Sequence, residues 1–96
     1  MKASAWIDRV KAAKGWESDY RAAKELGFSP NTISSYRRGK SITFDENSAV
    51  KVADILGIDP IVVLADQAME HAKSEPAKKA WATALDKLGA SQLYIM

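Results

Sequence analysis

Cysteine is absent from the chain, so neither a disulfide nor a thiolate metal site can contribute to it. That composition fits the reducing cytosol. Histidine is nearly absent too. His71 stands alone, without the second imidazole or thiolate that a metal pair needs, and we expect it on a solvated helix surface with no metal bound. No apolar run approaches the roughly 18 residues of a membrane span, and the opening residues lack the pattern of a signal peptide. A cytoplasmic protein with no membrane partner is expected. Period-two alternation does not appear, which argues against strands. No glycine-rich phosphate loop occurs, and Ser29, Ser34 and Ser35 have no histidine near them in sequence, so a nucleophilic triad has no support. These absences leave nothing that points to an enzyme, and no cofactor is expected.

What is present is a set of helix signals. The 96 residues are 47% apolar, enough for one small domain with one core and too many for disorder. The stretch from Ser18 to Lys40 organises the rest. Ser18 stands as an N-cap before Asp19–Leu26, where Tyr20, Ala23 and Leu26 share a helical face. Gly27 stops that helix, because glycine adopts the left-handed conformation at little cost. Ser29 caps the next helix and Pro30 fits at its first position, where no backbone N–H is missed. Phe28 and Ile33 have the spacing of a hydrophobic staple, which fixes the angle of entry, and Gly39 ends the helix. Two helices joined by a short glycine-containing turn make a helix-turn-helix.

Ala23, Gly27, Ser29, Ile33 and Ser34, followed by Gly39-Lys40, fall where the Cro/lambda-repressor-like helix-turn-helix family places them. The resemblance covers about residues 4–65. It implies an all-α, five-helix lambda-repressor-like domain over residues 1–73, with the motif at 18–39 and an additional C-terminal helix and tail in 74–96. Ala23 resembles the small residue where the two helices cross, and Ile33 and Tyr36 resemble the inner face of a recognition helix. The function implied is sequence-specific binding of double-stranded DNA by a small phage or prophage regulator of transcription. Charge agrees with this. Residues 1–40 carry nine Lys or Arg against four Asp or Glu, a net of +5, while residues 41–96 carry five against eight, a net of −3. A basic half bearing the motif beside an acidic half is the footprint of a nucleic-acid reader with a separate face.

The remaining elements follow the same punctuation. Residues 4–14 read as a first helix capped by Ser4, with Trp6, Ile7, Val10 and Ala13 inward, and Trp16 packing over the core from the connection. Thr43-Phe44-Asp45-Glu46 fits a capping box opening a fourth helix to Leu56, with Phe44, Val50, Ala53 and Leu56 inward. Asp59-Pro60 opens a fifth helix to about Lys73, with Ile61, Leu64, Ala65, Ala68 and Ala72 on one face and Met69 filling a gap. Ser74-Glu75-Pro76 opens a sixth, where Ala77, Trp81, Ala84 and Leu88 form a stripe. That stripe either closes over the core or forms a two-fold interface, since single modules of this kind usually pair to reach useful specificity. A homodimer is expected. The apolar ending Leu93-Tyr94-Ile95-Met96 reads as a tail buried on a partner or as a truncation.

By the resemblance, base readout falls on Ser29, Pro30 and Asn31 at the start of the recognition helix, 30–38, and on Ser35 one turn later. Asn31 is the strongest reader, because its amide can pair with adenine N6 and N7 in bidentate fashion. Pro30 replaces a glutamine common in the family and offers only apolar contact, for example to a thymine methyl. Phosphate contacts fall on Ser18, Thr32, Ser34, Arg37, Arg38 and Lys40. Two residues depart from the family's pattern. Asp19 stands where glutamine is frequent, and beside a phosphate it must point aside. Arg37 stands where many relatives carry a glutamate paired with an arginine of the first helix, so it can bond instead to Asp8, Glu17 or a phosphate. Rival readings are an antitoxin that also grips a toxin, and a helical interaction module without DNA binding.

Overall fold

The computed structural model describes residues 1–88, with the side chain of Leu88 outside the description. The chain forms six helices: α1 (Ala3–Lys14), α2 (Asp19–Leu26), α3 (Pro30–Arg38), α4 (Glu46–Leu56), α5 (Pro60–His71) and α6 (Glu75–Leu88). No strand occurs among the described residues, so the domain is all-α. Helices α1, α2 and α3 pack on one another, α4 packs against α1, α2 and α5, and α6 lies along α5. The apolar run at Leu93–Met96 lies outside the described residues.

Several boundaries differ from expectation, each for a local reason. Helix α1 starts at Ala3 rather than after a Ser4 cap, and Lys2 at its N-cap makes no side-chain bond. The free N–H of Ala3 donates instead to the carbonyl of Ile42 at 2.8 Å, so the loop before α4 does the capping. Helix α4 starts two residues later than the Thr43 capping box predicts, after Asp45. The backbone N–H of buried Phe44 donates to Gln67 Oε1 at 2.8 Å, which ties the segment before α4 to α5. Helix α5 ends at His71, two residues before Lys73.

The core is built around fully buried Trp6, Ile7, Val10, Val52, Val62 and Val63. Trp16 is half-buried against it. On α1 the expected face is kept but shifted toward the N-terminus, with Ala3 buried and Ala13 exposed, whereas on three helices the buried arc is rotated from the expected face. Ala22 is buried and Tyr20 is 77% exposed on α2. On α4 Ala49 and Val52 are buried and Val50 only half so; on α5 Val62 and Val63 replace Ile61, which is 40% exposed.

Helix α5 also carries two buried polar residues, Asp66 and Gln67. A lone buried carboxylate would be costly. Asp66 instead accepts from Trp6 Nε1 at 2.7 Å, from the Met1 amino group at 2.8 Å and from Gln67 Nε2 at 3.2 Å. Gln67 Nε2 also donates to the Met1 carbonyl at 2.7 Å. This network ties the start of the chain and the loop before α4 to the middle of α5.

Candidate nucleic-acid interface

Helices α2 and α3 are joined by Gly27-Phe28-Ser29. Gly27 has φ +76°, a conformation that an L side chain resists, and its N–H donates back to the carbonyls of Ala23 and Lys24. Phe28, Tyr36 and Phe44 then form an aromatic trio, with ring centroids 5.5 Å apart for Phe28–Tyr36, 5.3 Å for Tyr36–Phe44 and 6.0 Å for Phe28–Phe44. Each such pair is worth about 0.5–1.5 kcal/mol beyond its buried area. Together with buried Ile33, the trio fixes the rotation of α3 about its own axis. Burial in this trio raises the pKa of the Tyr36 phenol, and Asp45 adds to the effect, so the ring stays neutral.

Fixing the inner face presents the outer one. Pro30 and Asn31 are exposed in the first turn, and the Asn31 amide has no hydrogen-bond partner among the described residues. Ser29 is exposed, but its Oγ accepts the Thr32 N–H at 3.1 Å and lies 2.9 Å from the Thr32 hydroxyl. Ser29 and Thr32 are therefore engaged with each other in capping, which leaves each hydroxyl less to offer a ligand. Ser18 does the same for α2, accepting the Arg21 N–H at 3.1 Å. Ser34 and Ser35 are half-buried, and the Ser35 carbonyl receives the N–H groups of Lys40 and Ser41. Arg38 and Lys40 are exposed, and no carboxylate among the described residues lies within ion-pair distance of them or of Lys24.

Arg37, expected among the phosphate contacts, is engaged inside the protein. Its guanidinium grips Asp19 with two bonds, Nε to Oδ2 at 2.8 Å and Nη2 to Oδ1 at 2.7 Å. It also reaches Asp8 at 2.8 Å and the Ser4 carbonyl at 3.4 Å. Asp19 further accepts from Lys11 Nζ at 2.9 Å. The Arg37 hydrogen bonds hold the Asp19 carboxyl at about 2, below its usual 3.8, with burial opposing and Lys11 assisting. The carboxylates reciprocally raise the pKa of Arg37. The last turn of α3 is thereby clamped to α1 and to the start of α2. Asp19 is held by Arg37 and Lys11.

Tyr20 and Lys24 were not foreseen as part of this face. They lie one helical turn apart on α2, and with Ala23, Phe28, Pro30 and Ile33 they line a groove of about 310 Å³. The signal available beforehand was their i, i+4 spacing. A larger groove, about 820 Å³, runs between α5 and α6 past Met69, Glu70, Lys78 and Lys79. Its charges are of both signs and partly paired, Lys78 with Glu75 at 3.7 Å and Glu70 with the Met1 amino group at 2.9 Å. Trp81 on α6 is 38% exposed, while Ala77 and Ala84 are half-buried. His71 is exposed. Among the described residues no cluster of His, Cys, Asp or Glu could hold a metal ion, and no helix is long and apolar enough to cross a membrane. No protein-family model, curated protein or solved structure matches the chain.

Proposed function

We propose that this chain binds double-stranded DNA in a sequence-specific manner, as a Cro/lambda-repressor-like regulator of transcription from a phage or prophage. Helix α3 is the recognition helix, and its first turn enters the major groove. The supporting observation is the division of α3 itself. Its inner face and both ends are held, by Ile33, Tyr36, the Ser29 cap and the Arg37 clamp, while Asn31 projects an unpartnered amide from the first turn. Asn31 reads an adenine through N6 and N7, Pro30 gives apolar contact, and Ser35 reaches a base edge through close approach or a bridging water. Arg38 and Lys40 face phosphates. Two copies pair through the exposed edge of α6 at Trp81, and together read a pseudo-palindromic operator.

Selection of bound sequences from random duplexes tests this reading, because it reports recognition and two-fold symmetry at once. Asn31→Ala is expected to relax the preference at one base pair per half-site, a loss of about 1–3 kcal/mol of discrimination. Arg38→Ala is expected to weaken binding to every duplex alike. Uniform loss from both substitutions would remove Asn31 from the role of reader.

A further inference from the structure

We infer that the groove lined by Tyr20, Ala23, Lys24, Phe28, Pro30 and Ile33 is a second reading surface, which seats the C5 methyl of a thymine and the adjoining sugar edge. This rests on the proposed DNA binding and adds a residue of α2, Tyr20, to the determinants of specificity.

Tyr20 is 77% exposed, the most exposed large apolar side chain in the described residues. The fold does not use it: its ring makes no hydrogen bond or ring contact, and the buried arc of α2 runs through Ala22, Ala23 and Leu26. It borders the same groove as Pro30, the first residue of α3. Whatever meets the start of α3 therefore meets Tyr20 as well. The lining contains no carboxylate, and its one charge is Lys24, which has no acidic partner among the described residues. An occupant should then combine a small apolar group with a nearby negative charge. A thymine in a duplex does so, with its methyl in the major groove and a phosphate on the same nucleotide. Pro30 lacks a backbone N–H and the rings of Tyr20 and Phe28 present edges and faces, so the groove offers contact to a methyl and no hydrogen-bond code. The Tyr20 hydroxyl and Lys24 ammonium supply the phosphate contact.

The test uses the full chain and the duplex obtained by selection. Each thymine is replaced in turn by deoxyuridine, which removes only the methyl and keeps the base pair. Binding of wild-type, Tyr20→Ala, Tyr20→Phe and Arg38→Ala chains is followed by fluorescence anisotropy, with circular dichroism confirming the fold. One thymine per half-site is expected to lose about 4-fold in affinity on conversion, the transfer value of one buried methylene-sized group. Tyr20→Ala should weaken the thymine duplex and erase the difference between thymine and deoxyuridine at that position, while Tyr20→Phe preserves the difference. If every deoxyuridine duplex binds Tyr20→Ala and wild-type chains with the same ratio, the groove does not seat a methyl and its occupant is not this base. Loss of affinity on Arg38→Ala in that same experiment would keep the DNA-binding reading intact and point to a protein neighbour as occupant. Failure of selection to enrich any duplex overturns both readings.

Discussion

Replacing Asp19 by asparagine should release the clamp that holds the end of α3. The side chain keeps its shape and loses the charge that meets Arg37 twice, at 2.8 and 2.7 Å, and Lys11 at 2.9 Å. In the folded chain the Asp19 carboxyl titrates at about 2 against an ordinary 3.8, chiefly through the Arg37 hydrogen bonds. A shift of this size corresponds to about 2.5 kcal/mol by linkage. The carboxylate is 37% exposed, however, and solvent screening reduces the contribution to about 1 kcal/mol. Its sign follows from the depressed value. The folded state binds the proton less readily than the unfolded one, so the stabilisation is complete above the unfolded pKa and is lost as pH falls toward 2. Urea denaturation followed by circular dichroism, from pH 7 down to pH 2, measures it. At pH 7, Asp19→Asn should cost about 1 kcal/mol and lower Tm by about 4–8 °C for a domain of this size. Near pH 2 the variant and the parent should converge. A double-mutant cycle with Arg37→Met should return most of the pH 7 loss as coupling energy. An equal loss at pH 7 and pH 2, or zero coupling, would refute the clamp.

Three further outcomes are expected. Trp6→Phe removes the indole N–H that donates to buried Asp66 at 2.7 Å, and should cost about 1–3 kcal/mol in chemical denaturation; a loss below about 0.5 kcal/mol would show the bond to be idle. Trp81→Asp, at a side chain 38% exposed, should leave the fold intact while sedimentation velocity shows monomers; an unchanged dimer would remove α6 as the interface. Under the proposed DNA binding, with Arg37 engaged internally, phosphate contacts from Lys24, Arg38 and Lys40 should give a log–log salt slope of about −2.7 per subunit. Arg38→Ala should reduce that slope by about one unit, and Arg37→Met should leave it unchanged; a shallower slope for Arg37→Met would make it a phosphate contact after all.

Helix order and all-α character were legible because the stop signals act locally. Gly15, Gly27, Gly39 and Gly57 each end a helix in the left-handed conformation, and the caps at Ser18, Ser29 and Asp59 each take a nearby N–H. What misled was the assumption that local patterns decide alone. Thr43-x-x-Glu46 has the form of a capping box, but α4 opens after Asp45, and Phe44 is buried with its N–H donating to Gln67, 23 residues away in sequence. The roles of Asp66 and Gln67 were invisible for a similar reason: polar residues on α5 read as solvated until Trp6 and Met1 are known to face them. Tyr20 shares a helical spacing with Ala23 and Leu26, yet those two are buried and Tyr20 is exposed. An eight-residue helix carries too few turns to fix the centre of its buried arc to within one position. Of the candidate site, the first turn of α3 was legible, since cap, proline and staple lie within a few residues. Of the partners foreseen for Arg37, Asp8 is met, but the bidentate bond to Asp19 was not among them, because it depends on how α3 crosses the start of α2.

The distribution of charge around α3 argues for a division of labour among its cations. Arg37 and Arg38 are neighbours, and a helix turns about 100° between them, so their side chains leave α3 in different directions. Arg37 meets Asp19 and Asp8, giving a bidentate bond plus a third contact that holds α3 against α1 and α2. Lys11 shares Asp19, and Arg21 is held by Glu25 at 3.1 Å, so these cations too are partly satisfied within the protein. Lys24, Arg38 and Lys40 have no carboxylate within ion-pair distance among the described residues; Lys24 lines the groove with Tyr20 and Pro30, and Arg38 and Lys40 lie exposed at the end of α3 and just after it. A reader benefits from this arrangement in two ways. The paired cations restrict the motion of α3 before any ligand arrives, which lowers the ordering cost of binding. The unpaired ones keep their full attraction for phosphate, since no internal bond must break first.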